Sequence, residues 1–145
     1  MGIAALVTWL LTAVGGFVML GTWLAKGGAR QPRNSNFPPA LIFGHFVLAA
    51  AGLVLWIIYL FADRESLAWV AFALLVPVAL LGFVMLARWI PTYRARATAT
   101  VGGAGASTAA PAEKHFPVAI VGGHGLLAVA TVVLVLLTAL GVGGS

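Results

Sequence analysis

The sequence predicts an all-α integral membrane protein, a four-helix bundle built from two tandem two-helix repeats. Composition, apolar run length and an internal repeat carry that prediction. The 145-residue chain is 62% hydrophobic and only 8% charged, with a mean hydropathy of +1.09. A helix crosses the bilayer core with roughly 20 apolar residues, and four stretches reach that length: 2–24, 38–61, 67–87 and 116–142. They nearly exhaust the chain, so no segment is left for a soluble catalytic domain. The protein is not expected to be an enzyme on its own.

The first span has no Lys or Arg before it, while Lys26, Arg30 and Arg33 follow it. A secretory signal has the opposite order, so this stretch reads as a retained span. The second span runs from Pro38 to Phe61 and carries His45. The third carries Pro77, where the first has Leu11, which predicts a local kink that breaks the symmetry. Before the fourth span, residues 95–112 (ARATATVGGAGASTAAPA) are small and flexible and read as a linker with the role of a tether.

Charge sets the topology. Lys26, Arg30 and Arg33 lie in the first loop, and Arg88, Arg94, Arg96 and Lys114 lie at or within the third. The second loop carries Asp63, Arg64 and Glu65. The positive-inside rule then makes loops one and three cytoplasmic and puts both termini outside, in what reads as a bacterial cytoplasmic membrane. The pI near 10.9 does not indicate nucleic acid, because the basic residues are strung along short membrane-flanking loops. They are expected to touch lipid. There is no cysteine, which excludes disulfides, thiolate metal sites and CxxC redox chemistry.

The repeat is visible without gaps. Phe37, Pro38, Ala40, Gly44, His45, Leu48 and Ala49 recur as Phe116, Pro117, Ala119, Gly123, His124, Leu127 and Ala128. The odd-numbered spans match as well: GFVMLGTW from Gly16 to Trp23 against GFVMLARW from Gly82 to Trp89. Repeat 1 covers about 2–61 and repeat 2 about 67–142. Two helices per repeat give both halves the same orientation, with a pseudo-two-fold axis along the membrane normal. Trp23, Trp89, Trp69 and Tyr59 are assigned to interfacial anchoring, and Trp9 and Trp56 fall outside that scheme.

An ionisable side chain inside a membrane helix is costly and marks a site by default. His45 lies seven residues beyond Pro38, or about 10 Å into the span at ~1.5 Å per residue, and His124 matches it by repeat. Met19 and Met85 fall in the same layer. The function such a layer supports best is a single-haem b-type electron-transfer or haem-binding subunit with His45 and His124 as axial ligands, since bis-imidazole ligation needs two neutral histidines at one depth with small neighbours. Met19 and Met85 would pack on the ring edge, and Arg30, Arg33, Arg94 and Arg96 are candidate partners for the propionates. A second is copper held by His45, His124, Met19 and Met85, a soft ligand set. A third is a noncatalytic accessory subunit of a respiratory or other membrane complex, with no cofactor. In that case the histidines are interhelical hydrogen-bond donors and the methionines packing residues.

Paired histidines on apolar helices resemble the small di-histidine membrane cytochromes of the b561 type. That resemblance implies haem at His45 and His124, although a two-haem relay would need a second His pair in the other leaflet, which this chain lacks. The string His115-Phe116-Pro117-Val118-Ala119-Ile120 resembles the HFPxAL-type signature of small uncharacterised bacterial four-span membrane proteins. In the first repeat Asn36 stands where His115 is aligned.

Overall fold

A computed structural model describes residues 1–30, 34–99 (side chains to 95) and 111–142. Among these residues the long elements are all helices: α1 (Gly2–Ala25), α2 (Pro39–Ala62), α3 (Glu65–Ala99) and α4 (Val118–Ala139), with a 3-10 turn at Ala112–His115 before α4. All four long helices are long and apolar enough to cross a membrane. Their outer surfaces stay apolar, as at Phe61, Leu126 and Val14, which is what a lipid surround requires.

α3 runs well past the end of the predicted third span. Pro77 and Pro91 both lie inside it, so the helix continues through the proline expected to kink it. The described part of the expected linker up to residue 99 is helical, and most of the rest, 100–110, lies outside the described residues.

Each terminus has a local cause. α1 stops because Gly27 takes a left-handed φ of +77°. The Gly27 N–H then donates to Leu24 O (3.0 Å) and the Gly28 N–H to Trp23 O (2.9 Å), which satisfies the last carbonyls. Gly28 matters separately, since any Cβ there would overlap the Trp23 indole. The α2–α3 turn is tight, with Asp63 in the left-handed region at φ 49°, a conformation that Asp tolerates better than most residues.

α1 packs chiefly along α4, and α2 along α3, so the principal helix contacts cross between the two repeats expected from sequence. α2 and α4 are therefore diagonal in the bundle. Two buried clusters fill it. One joins Ala5, Trp9, Trp56, Ala71, Leu75 and Val135 at the end that holds the N-terminus and the α2–α3 turn. The other joins Trp23, Phe37, Ile42, Trp89, Ala112 and Phe116 at the opposite, loop-rich end. The histidines lie between them along the sequence.

Four tryptophans are structural rather than interfacial. Trp23 and Trp89, expected as anchors, are 0% and 8% exposed. Trp9 and Trp56 are 4% and 0% exposed. Trp9 seats against Gly52, where an added Cβ would stand 3.1 Å from the indole, and Trp56 Nε1 donates to Gly2 O at 3.2 Å. Trp69 remains 41% exposed, as an interfacial ring would be.

Candidate functional site

His45 on α2 and His124 on α4 face one another across the bundle with ring centroids 6.4 Å apart and planes inclined by 52°. Each ring is fixed by a backbone carbonyl of the helix beside it. His45 Nδ1 lies 3.0 Å from Val78 O on α3, and His124 Nδ1 lies 2.8 Å from Thr12 O on α1. A carbonyl only accepts, so in both rings Nδ1 carries the proton and donates it. Nε2 is then left as the basic nitrogen, the form in which imidazole binds a metal.

These two carbonyls are accessible because of glycine. In a helix the side chain four residues on leans back over a carbonyl, and the residues four beyond Thr12 and Val78 are Gly16 and Gly82. A Cβ on Gly16 would stand 3.3 Å from His124 Cε1, and one on Gly82 would stand 3.6 Å from His45 Cε1. Gly15 adds to the fit, since its Cβ would stand 3.3 Å from His124 Cβ. At Gly44 and Gly123, each one residue before its histidine and partly buried, an added Cβ would meet nothing within 4 Å.

Met19 and Met85, placed in the histidine layer from sequence, pack against the cluster of Trp23, Phe37, Trp89 and Phe116. Arg30 and Arg94 are exposed on that side of the histidines. Arg33 and the side chain of Arg96 lie outside the described residues. Among the described residues, no group of three or more His, Cys, Asp or Glu gathers as a metal site. The third histidine, His115, is on the 3-10 turn, where its Nδ1 lies 3.3 Å from Ala112 O.

No known family, curated protein or solved structure matches this chain.

The loop-rich end contains a polar cluster that sequence reading did not find. Glu113, one residue before Lys114, is 0% exposed. Its carboxylate accepts the Asn36 N–H at 2.6 Å and the Ser35 hydroxyl at 2.9 Å. Ser35 Oγ in turn accepts from Trp23 Nε1 at 2.8 Å, and Trp89 Nε1 donates to Glu113 O at 3.2 Å. Asn36 is held further by its Nδ2, which donates to Thr92 Oγ1 at 3.1 Å, and by Arg88, which donates to its carbonyl at 2.9 Å. The cluster ties the first loop to the third, and its burial is permitted because the carboxylate is hydrogen-bonded.

Proposed function

We propose that this membrane protein holds one b-type haem between His45 and His124 and acts as a haem-binding or electron-transfer subunit, working with other membrane components. The 6.4 Å separation of the imidazole centroids carries the reading. A metal about 2 Å from each of two facing imidazole nitrogens puts the ring centroids about 6 Å apart. Ligand number points the same way. Two histidines are too few for a closed tetrahedral site, but haem brings its own equatorial nitrogens and takes only axial ligands from the protein.

The residues supply orientation and polarity, and haem when bound supplies the redox chemistry. Val78 O and Thr12 O fix both tautomers and raise ligand basicity. Arg30 and Arg94, with Arg33 and Arg96, are the candidate partners for propionates. Copper, with Met19 and Met85 added to the histidines, is the competing ligand reading.

The two carbonyl bonds also favour a second reading, in which the histidines only pin α2 to α3 and α4 to α1. The deciding experiment is the reduced-minus-oxidised visible spectrum, with metal analysis, of full-length protein purified after expression with ample haem. One b-type signal near one haem per chain, lost in both His45→Ala and His124→Ala, is expected. A colourless, metal-free protein whose two variants lose only about 1 kcal/mol of stability would establish the pinning role instead. Copper in the sample, lost in Met19→Leu and Met85→Leu, would select the His/Met site.

A further inference from the structure

We propose that the groove between the first loop and the end of α3's apolar run binds the headgroup of an anionic phospholipid, with Arg88 as its cation. Asn36, Pro38 and Pro39 line one wall and Ala87, Arg88 and Pro91 the other, around a volume of about 740 Å³. The groove sits at membrane-boundary level. α2 begins at Pro39, and the apolar run of the third span ends at Ala87. Prolines and an alanine offer an apolar surface to the first carbons of an acyl chain, while Arg88 offers a guanidinium beside them.

Charge complementarity selects the occupant. Seven of the eight Lys and Arg residues lie at or near the loops on this side, Arg64 being the exception. Of the three acidic residues, Asp63 and Glu65 are at the opposite turn, and Glu113 is fully buried in the loop cluster. The groove therefore has no exposed carboxylate on its side of the molecule to compete for Arg88. The Arg88 side chain is exposed and is tethered by one donor to Asn36 O. A guanidinium has five N–H donors, and its fork geometry suits phosphate. If loops one and three face the cytoplasm, the leaflet that meets the groove is the one whose anionic lipid attracts basic segments. None of this depends on haem.

Native mass spectrometry on delipidated full-length protein, titrated with phosphatidylglycerol or phosphatidylcholine in detergent, tests the proposal. The protein should retain phosphatidylglycerol about fivefold better than phosphatidylcholine, the worth of one surface cation. Arg88→Gln should abolish that preference. Because this change also removes the tether to Asn36, Ala87→Phe provides a second test: it fills the groove, keeps the charge, and should lower phosphatidylglycerol retention too. Lys26→Gln, outside the groove, should leave the preference intact. Equal retention of the two lipids, full retention by Ala87→Phe, or a loss in Lys26→Gln equal to that in Arg88→Gln would overturn the assignment.

Discussion

The histidine layer and the loop-rich end handle buried polar groups in opposite ways. In the layer the contacts pair off by aligned position: His45 with Val78 O and His124 with Thr12 O, each beside a glycine. Val78 and Gly82 lie 66 residues beyond Thr12 and Gly16, the same offset that aligns GFVMLARW with GFVMLGTW. At the loop end the correspondence fails. Trp23 donates to the Ser35 side chain but its aligned partner Trp89 donates to a backbone carbonyl, and Asn34 is aligned with the buried Glu113. A layer at the centre of a bundle is constrained from both sides alike. Loops of different length are not, so there a single carboxylate closes the end.

Removing that carboxylate should have the largest effect. Glu113→Ala leaves the Asn36 N–H and the Ser35 hydroxyl without their acceptor, at a cost of about 3 kcal/mol. Thermal unfolding in detergent should register that loss. Visible spectra should be unchanged where haem is bound, because no contact described for Glu113 reaches either histidine. A spectral change comparable to that of His45→Ala would show that the two regions are not separable.

How far each region was legible in the sequence follows from the same contrast. Four spans follow from run length and hydropathy, and the histidine pair from the repeat, because lipid demands long apolar helices and a repeated motif marks its own members. The carbonyl bonds were in reach: Gly16 and Gly82 open the repeated motif, four residues beyond Thr12 and Val78, but only the packed helices show which carbonyl meets which ring. Glu113 gave no local signal. Its partners Ser35 and Asn36 are 78 and 77 residues away, and a lone acid beside Lys114 looks like any solvated loop charge. Trp23 and Trp89 misled because a tryptophan at a span's end fits an interfacial belt equally well. What buries them is the chain folding back over the helix ends, through Gly28 and through Ala112 and Glu113.

Within the layer, the two glycines should respond differently despite their equivalence. Alanine is better than glycine in a helix by about 1 kcal/mol. In Gly82→Ala the new methyl makes an ordinary 3.6 Å contact with His45, so that gain should survive and the protein should be unchanged or slightly more stable. In Gly16→Ala the contact is 3.3 Å, and His124 must move while its Nδ1 is held 2.8 Å from Thr12 O. Overpacking of this kind costs about 1–3 kcal/mol, so Gly16→Ala should be the less stable of the two in parallel unfolding measurements. Equal responses would mean that the layer is as adaptable on the α1 side as on the α3 side.

The smallest effect belongs to the end opposite the loops, where the core is almost wholly apolar. Trp56→Phe keeps a large ring among Ala5, Ala68 and Leu75 and removes the Nε1 bond to Gly2 O. An interhelical hydrogen bond in a membrane protein is worth about 0.6 kcal/mol on average, and fraying of the first turn of α1 should absorb part of even that. Hydrogen exchange at the α1 N-terminus should therefore quicken with little change in global unfolding. A global loss as large as that of Glu113→Ala would place this indole among the principal ties of the bundle, and would make its polar contact as consequential as the buried carboxylate at the other end.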